Sequence, residues 1–475
     1  MTSNHAPERA SSGTLAQHLD RIGFSRAQFW VLALILAGMF FDTLEQNSVG
    51  AMGANLKLAL GITDTQLTTI NTATVIGGLV GRLAGGWLAD RYGRRASLSI
   101  NLLLYTLGGL LSAVALNYEM MLASRFVVGI GLGGEFTIGI AMLAEMVATR
   151  HRGTLVATLN IGSGGVGNFL SYGLFFLLLG PLAPALGGDH LVWRWTFLLL
   201  AFPALLVVLY RRRLPETPRF LLSKGRVEEA NRSLAILASN SLTPATGAAP
   251  DGPLTTADIP ERQLSSSPAA VFARSVLART VSIGVASWMA FGVQVTLNFL
   301  MPTLLVERGY SISESLLFTM IMNLGSLVGS CAAAWLAGRV GRRSAVGGAG
   351  VLGCVTAAAF AMFGDTTTLI LILGGLFQFF TMITNTTLAV WSPELYPTSI
   401  RANGTSIVNG IGNIAGAVMP FLAVALFGAF GFAGVFGMAA VMYALLVLAT
   451  RFAPETRART LEQINEDSPR TTLAA

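Results

Sequence analysis

The chain has 475 residues, of which 53% are hydrophobic and only 12% are charged, and its net charge at pH 7 is +7. Soluble domains carry roughly 25% charged residues, so this composition predicts a membrane protein and argues against a soluble enzyme. The arginines lie in short segments without interleaved aromatic residues, which gives no reason to expect a nucleic acid as partner. The positive charge instead favours contact with a lipid bilayer.

The predicted elements begin after the first 28 residues, which are polar and contain no apolar core, so we expect no cleaved signal peptide. Twelve stretches then approach the roughly 20 apolar residues that span a bilayer as a helix. They lie at 29–52, 67–89, 96–116, 121–144, 155–180, 195–210, 276–300, 315–338, 344–363, 368–391, 405–428 and 432–452.

The distribution of Lys and Arg predicts the orientation of these spans. With both termini in the cytoplasm, most of these residues fall in cytoplasmic segments, as the positive-inside rule requires. The exceptions are Lys57, Arg194 and Arg308 outside, and Arg82 and Arg125 within spans. We therefore expect a multi-pass protein of the cell inner (plasma) membrane with both termini cytoplasmic.

Three sequence signatures occur twice, in the same order. "GRLAGGWLADRYGRR" at 81–95 returns as "GSCAAAWLAGRVGRR" at 329–343, "AEMVATRHRGT" returns as "PELYPTSIRANGT", and "PETPR" returns as "PETRAR". Each half thus contains six spans of the same orientation, which favours two bundles around a central cavity that opens to alternate sides.

This repeat predicts the domain organisation. An amphipathic surface helix and a tether rich in Ser, Thr, Pro, Ala and Gly separate the two bundles. The predicted segments are an N-terminal cytoplasmic tail at 1–28, a six-helix bundle at 29–210, the helix and flexible linker at 211–275, a second six-helix bundle at 276–452, and a cytoplasmic C-terminal tail at 453–475.

These motifs resemble those of the major facilitator superfamily over essentially the whole chain. The signature G-x-x-x-D-R-x-G-R-R is matched in full from Gly86 to Arg95, whereas its second copy has Gly338 in place of Asp. "RFVVGIGLGGE", "WSPELYPTSIRANG", "PETPRFLL" and "PETRARTLEQI" narrow the resemblance to the metabolite and aromatic-acid proton symporters, the organic ion transporters and the sugar porters. The resemblance implies an all-α integral membrane fold of twelve transmembrane helices in two six-helix bundles.

The doubled arginine clusters are candidates for a cytoplasmic gate. Bidentate pairs of Arg with carboxylates are directional and comparatively strong, so paired charges at repeated spacing favour a latch between bundles. The alternative is that the arginines serve only orientation and lipid attraction. The candidate gate residues are Asp90, Arg91, Arg94, Arg95, Glu145, Arg152, Glu216, Arg339, Arg342, Arg343, Glu394, Arg401 and Glu455.

Four ionisable residues inside the spans are candidates for proton coupling. A charge at mid-bilayer depth costs at least about 2.5 kcal/mol, so an ionisable residue found there is expected to have a function. Asp42 and Arg125 lie at comparable depths in the first and fourth spans. Their pairing would resemble the Asp and Arg that couple protons in related symporters, and the alternative is a static pair that locks two helices. Glu135 is a candidate for a second protonation site or for a cation contact. Glu45 either joins this group or faces outside water.

Polar side chains of both halves are candidates for the substrate site. Gln294 and Asn298 are four residues apart and share a helix face, and they resemble in position the amides of sugar porters, although the full glutamine pair is missing. The alternative for each amide is a hydrogen bond between helices, and for Trp391 a place in the interfacial belt. The selected residues are Gln294, Asn298, Asn168, Asn385, Trp391 and Asn409, with Asn71, Asn160, Asn323, Gln378 and Asn413 as further candidates.

No cofactor or metal is expected. Cys331 and Cys354 lie within spans, and the four histidines fall in tails or loops without metal-ligand spacing, so the chain lacks the groups of a membrane enzyme. We expect a functional monomer that performs proton-coupled uptake of a small organic metabolite such as an aromatic or other organic acid. The alternatives are a sugar, polyol or organic cation transporter, and a drug/proton antiporter, although the fifth span lacks the Gly-Pro motif of such exporters. A transport-dead nutrient sensor is disfavoured by the short C-terminal tail.

Overall fold

The computed structural model describes residues 15–239, 241–242, 253–255, 268–397 and 400–457. The N-terminal half contains α1 (Leu15–Ile22), α2 (Arg26–Ala51), α3 (Gly53–Leu60), α4 (Asp64–Tyr92), α5 (Arg94–Ala113), α6 (Tyr118–Met146), α7 (Thr149–Asn160), a π-helical segment (Ile161–Gly167), α8 (Asn168–Leu179), α9 (Val192–Leu200), α10 (Ala204–Arg213), α11 (Pro218–Ser223) and α12 (Val227–Ala238). The C-terminal half contains α13 (Arg274–Glu307), α14 (Ile312–Ala337), α15 (Arg342–Phe363), α16 (Thr367–Glu394) and α17 (Arg401–Thr450).

These helices account for twelve membrane crossings. Ten helices in the described part of the chain are long and apolar enough to span a bilayer. One of them, α17, contains two crossings because Gly431 breaks it with a φ of 59°, a left-handed conformation that glycine adopts without steric cost. The remaining crossing is α4, whose 29 residues extend over about 43 Å and pack along α6.

Local sequence signals determine where several spans begin. The first turns of α2, α4 and α14 each carry a capping box, in which a Ser or Thr side chain accepts the N–H of the third helical residue and that residue's side chain accepts the N–H of the cap. The pairs are Ser25 with Gln28, Thr63 with Gln66, and Ser311 with Glu314.

Glycines allow the closest helix crossings in both halves. A Cβ on Gly77 or Gly81 of α4 would clash with the backbone of α6, and one on Gly325 or Gly329 of α14 would clash with the backbone of α16. Small residues permit such approach in membrane helices, where van der Waals packing drives association. The repeated sequence signature therefore builds the same crossing twice.

The helix directions define two faces of the molecule. The arginine-rich face carries the turn between α4 and α5 and the turn between α14 and α15. The opposite face carries α3 and the turn between α13 and α14. The two halves pack through α2 on α13, α4 on α17, and α8 with the π-helical segment on α14.

A small helical layer covers the arginine-rich face of the N-terminal half. It consists of α1, α11 and α12, whose apolar side chains join one hydrophobic core with α2, α6 and α10. Asn231 of α12 holds Leu254 through two hydrogen bonds of 3.0 Å. The flexible tether and the C-terminal tail expected from the sequence lie mostly outside the described residues.

Candidate functional site

A buried ion pair lies inside the N-terminal bundle. Arg125 Nη1 donates to Glu45 Oε2 at 2.7 Å, and Arg125 Nη2 donates to the Glu45 backbone carbonyl at 3.0 Å. Both side chains are 0% exposed, and the Phe197 ring centroid lies 5.3 Å from Arg125 Cζ. This pair joins α2 to α6 away from water.

The predicted pairing of Asp42 with Arg125 is therefore wrong, because Glu45 occupies that position. Asp42 and Glu45 are three residues apart on α2, so they share a helix face and differ in depth by only about 4.5 Å. The depth estimated from the sequence therefore does not show which of the two carboxylates pairs with Arg125. The alternative that Glu45 faces outside water is also wrong, because its side chain is fully buried.

Asp42 and Glu135 form a second buried group in the same bundle. They are 4% and 1% exposed, and Asp42 lies close enough to Glu135 and to Glu45 for its charge to interact with theirs. Gly38 leaves the space for this group, since a Cβ there would lie 2.6 Å from Glu135 Oε1 and 2.7 Å from the Tyr210 hydroxyl. Among the described residues, Asp42 Oδ1 and Glu135 Oε2 have no hydrogen-bond partner. These two carboxyl groups are thus buried with unused oxygen atoms.

Amide side chains meet where the two halves contact. Gln378 Nε2 donates to Asn298 Oδ1 at 2.8 Å, and Gln294 Nε2 lies 3.7 Å from Met382 Sδ. The Tyr172 hydroxyl, from the N-terminal half, donates to the Asn298 backbone carbonyl. The predicted Gln294 and Asn298 therefore lie together, joined by Gln378 and by a tyrosine of the other half.

The other selected substrate residues make contacts of their own. Asn168 accepts the Asn47 amide at 2.8 Å within the N-terminal bundle. Asn385 donates to the Thr381 carbonyl of its own helix at 3.1 Å, and Asn409 is exposed on α17. Trp391 is 0% exposed and donates to the Pro454 carbonyl at 3.2 Å. Trp391 is thus a packing residue, and neither substrate stacking nor a place in the interfacial belt fits its burial.

The candidate gate residues form the same network in each half. Arg94 Nη2 lies 3.0 Å from Glu145 Oε1, and the backbone N–H groups of Arg94, Arg95 and Thr217 donate to Glu216. Burial raises the pKa of Glu216, and these N–H donors partly lower it again.

The copy in the C-terminal half repeats this geometry. Arg342 Nη2 lies 3.3 Å from Glu394 Oε1, and the N–H groups of Arg342 and Arg343 donate to Glu455 at 2.7 and 3.1 Å. In this conformation each network lies within its own half, so each one ties together the helices of a single bundle.

The remaining gate candidates lie around these networks. Asp90 is 3.2 Å from Arg94, the guanidinium groups of Arg91 and Arg339 lie over Trp87 and Trp335, and Arg401 Nε donates to the Tyr396 carbonyl at 3.4 Å. The side chain of Arg152 lies outside the described part of the chain.

An ion bridge that the sequence did not suggest joins the halves at the opposite face. Lys57 Nζ of α3 lies 2.6 Å from Asp64 Oδ1 and 2.8 Å from Glu307 Oε1 at the end of α13. Burial lowers the pKa of Lys57, but hydrogen bonds from its ammonium group to Asp64 and Glu307 raise it above its ordinary value. In the same region Thr72 donates to the Ala417 carbonyl at 2.9 Å. The halves are therefore closed against each other at the opposite face.

Comparison with known proteins places the chain in a family. The sequence profile of the family described as "Sugar (and other) transporter" matches residues 26–467. The chain belongs to this family. Within it, the niacin transporter NiaP of Acinetobacter baylyi is 28% identical over 458 residues, which cover 95% of this chain and 99% of that protein. The 4-hydroxybenzoate transporter PcaK of Pseudomonas aeruginosa is 27% identical over 419 residues, which cover 84% of this chain and 86% of that protein.

A solved structure shows the fold of this transporter family. The proton:xylose symporter XylE, bound to 6-bromo-6-deoxy-D-glucose, matches with a TM-score of 0.72 at 20% identity over 93% of this chain and 99% of that chain. This match confirms the predicted major facilitator fold of twelve transmembrane helices in two six-helix bundles. Because its relatives are transporters, the chain is a multi-pass membrane transporter and not an enzyme.

Sequence reasoning missed several residues near these sites. Tyr105 and Tyr210 lie close enough to Asp42 and Glu135 to interact with their charges, and only their position within otherwise apolar spans hinted at a role. The π-helical segment of the fifth crossing places Gly164 against Met382 of the other half. π-helical turns are frequent at functional sites, and the glycine-rich "IGSGGVG" was the signal for this one.

Proposed function

We propose that this transporter is a proton-coupled symporter that takes up a small organic metabolite, with an aromatic or other organic acid as its substrate class. The observation that carries the proposal is the group of four buried ionisable side chains in the N-terminal bundle. When all are ionised, Asp42, Glu45 and Glu135 contribute three negative charges and Arg125 one positive charge. A net charge of −2 inside a membrane protein is unfavourable, so proton binding to this group is favoured.

Proton binding at this group supplies a physical route to coupling. Glu45 already neutralises Arg125 through direct contacts, which leaves Asp42 and Glu135 as the carboxyl groups that carry transported protons. Adding or removing a proton changes the buried charge between α2 and α6, and such a change biases a two-state packing equilibrium. The coupling assigned here to Asp42 thus works without direct contact with Arg125.

We assign the substrate site to the contact between the halves. Gln294, Asn298 and Gln378 offer amide donors and acceptors there, and Met382 offers a polarizable apolar surface that suits an aromatic ring. Arg125 is engaged by Glu45, so an acid would be held by amide and hydroxyl donors. The names of the relatives, a niacin transporter and a 4-hydroxybenzoate transporter, favour this substrate class.

Alternating access follows from the two faces. The Lys57 bridge closes the opposite face in this conformation, and the arginine-rich face would close when the networks of the two halves approach each other as a cytoplasmic gate. Positive residues concentrate on the cytoplasmic side of membrane proteins, so we assign the arginine-rich face, and both termini, to the cytoplasm. We assign the chain to the inner (plasma) membrane as a functional monomer.

The proposal is tested in proteoliposomes with a trapped pH dye. Purified protein is challenged from outside with nicotinate, 4-hydroxybenzoate, xylose and an organic cation, and protein-free liposomes correct for passive entry of weak acids. We expect acidification of the lumen with an aromatic acid, lost in Asp42→Asn and retained in Asp365→Asn, whose carboxylate is 87% exposed. Substrate entry without protein-dependent acidification would contradict proton symport.

A second candidate substrate class is a sugar or polyol. The observation that favours it is the Asn298 and Gln378 amide pair, since amides can donate to and accept from hydroxyl groups. Protein-dependent acidification with xylose but with neither acid, in the same assay, would select this class.

A further inference from the structure

A cavity of about 400 Å³ lies at the arginine-rich face of the N-terminal half, outside the transport site. The first turns of α5, the last turn of α10, and α11 with α12 form its walls. Three arginines line it, Arg95, Arg211 and Arg226, together with the side chains of Glu216 and Glu229. Cavities of this size accommodate a small ligand group.

The two glutamates of the cavity are already engaged by the protein. Glu229 accepts two hydrogen bonds from Arg226, at 2.6 and 2.5 Å, so this pair is neutral. Glu216 accepts the backbone N–H groups of Arg94, Arg95 and Thr217. Both carboxylates thus already accept hydrogen bonds from protein donors.

Arg95 and Arg211 are left with unused donors. Among the described residues neither guanidinium has an ion pair or a hydrogen-bonded acceptor, although each carries five N–H donors. Their positive charges lie close enough to repel each other, while the charge of Glu216 attracts Arg95. An anion between them would remove this repulsion, and a phosphate matches the fork geometry of arginine.

The position of the cavity indicates the source of that anion. Arg95 lies in the first turn of α5 and Arg211 in the last turn of α10, so both lie at membrane-span ends, at headgroup level. The same two helices pack on each other and expose apolar side chains farther into the membrane, including Leu103 and Leu107 of α5 and Leu205 of α10. A lipid placed with its phosphate in the cavity would lay its acyl chains along this apolar surface.

We propose that this cavity binds the phosphate headgroup of an anionic phospholipid through Arg95 and Arg211. A soluble phosphate has the same chemistry, but it would gain nothing from the adjoining apolar surface. The corresponding turn of the C-terminal half, at Arg343, has no copy of α11 and α12 beside it among the described residues. The site therefore belongs to the N-terminal half.

The test is native mass spectrometry of the full-length protein, purified in detergent and titrated with phosphatidylglycerol or phosphatidylcholine. Arg211→Gln removes one guanidinium of the site, and Arg213→Gln is the matched control because Arg213 lies on the same exposed turn but does not line the cavity. We expect at least about tenfold weaker phosphatidylglycerol binding in Arg211→Gln, the effect of losing one charge-assisted hydrogen bond to the phosphate. Binding in Arg213→Gln should stay close to that of the unmodified protein.

A second experiment distinguishes a lipid phosphate from inorganic phosphate as the ligand. Inorganic phosphate is added in excess to the protein with bound phosphatidylglycerol, and retention of the lipid supports the proposal. Displacement of the lipid by inorganic phosphate would overturn the assignment to a lipid. Equal losses in Arg211→Gln and Arg213→Gln, or equal binding of phosphatidylcholine and phosphatidylglycerol, would show general surface attraction and would also overturn it.

Discussion

The two halves of the transporter share one architecture but bury different chemistry. The N-terminal half buries three carboxylates and a guanidinium among its spans, at Asp42, Glu45, Glu135 and Arg125. The described spans of the C-terminal half bury no carboxylate. They bury one guanidinium, that of Arg279, and amides and hydroxyls, such as Gln378 bonded to Asn298 at 2.8 Å and Tyr443 bonded to Thr381 at 2.9 Å.

Under the proposed function, this difference assigns proton coupling to one half and substrate binding to the other. Titratable groups respond to a proton gradient, whereas neutral amides recognise polar substrate atoms without changing charge. The arginine networks at the turns remain the same in both halves, because they hold each bundle together. If the division is correct, changes in the N-terminal half alter coupling and changes in the C-terminal half alter substrate binding.

The largest effect is expected from removing the buried guanidinium. Arg125→Met leaves the fully buried Glu45 without its partner, and breaking a buried ion pair in this way typically costs about 3–5 kcal/mol. We expect a strongly lowered melting temperature, measured by thermal unfolding in detergent. Arg308→Met is the control because its partner Asp365 is 87% exposed, and such pairs contribute about 0–1 kcal/mol. Equal melting temperatures for the two variants would contradict the account.

A smaller effect is expected in the C-terminal half. Asn298→Ala removes one amide of the proposed substrate site. One hydrogen bond is worth about 1 kcal/mol net, so we expect a KM raised about fivefold. Transport kinetics with simultaneous proton flux measure it, and the ratio of protons to substrate should not change. Thr356→Ala is the control, since in the described part of the chain Thr356 bonds within its own helix, to the Leu352 carbonyl, at 2.6 Å. A changed proton ratio in Asn298→Ala would break the division between the halves.

Gly38 fits closely against the proposed proton site of the N-terminal half. A methyl group there would meet Glu135 and Tyr210 and displace one of them, at a cost of about 1–3 kcal/mol. We expect Gly38→Ala to slow proton-coupled uptake severalfold. Gly437→Ala is the control, because a Cβ at Gly437 meets no atom within 4 Å. Uptake at the normal rate in both variants would argue against a proton site beside Gly38.

The smallest effect is expected at the bridge between the halves. The Lys57 pairs are partly exposed, so Lys57→Ala should shift the conformational population by no more than about 1 kcal/mol, or fivefold. Spin-label distances across the opposite face, in a background without Cys331 and Cys354, measure this shift toward the open form, and Lys57→Arg should retain the closed form.

The raised pKa of Lys57 sets the pH dependence of that bridge. A group whose pKa is raised in the closed form stabilises that form fully below its ordinary pKa and loses the contribution as the pH rises through the raised value. Moving from neutral pH to about pH 9 should therefore leave the spin-label distances unchanged. Opening within that range would contradict the assignment.

The fold could be predicted from the sequence because its signals are local and repeated. Twenty-residue apolar stretches identify spans, and the doubled "GRR" turns identify two halves. The buried ionisable residues could also be identified, since charges in apolar spans are conspicuous. Their pairing could not, because Asp42 and Glu45 lie within one helical turn and sequence depth does not separate them.

Contacts between segments that are distant in the sequence could not be predicted either. Lys57 and Glu307 are 250 residues apart, and neither lies in a motif that points to the other. Trp391 sits near a helix end, where aromatic residues usually face the interface, but packing against the segment at Pro454 buries it. Such tertiary contacts override the pattern of a single span.

The most direct test of proton coupling in the N-terminal half measures proton and substrate fluxes together in Asp42→Asn proteoliposomes. Radiolabelled substrate and a trapped pH dye are followed in one preparation, beside the unmodified protein and Asp365→Asn. The account predicts that Asp42→Asn equilibrates substrate down its gradient without moving protons and no longer accumulates it against a gradient. Proton-driven accumulation by Asp42→Asn at the level of Asp365→Asn would contradict it.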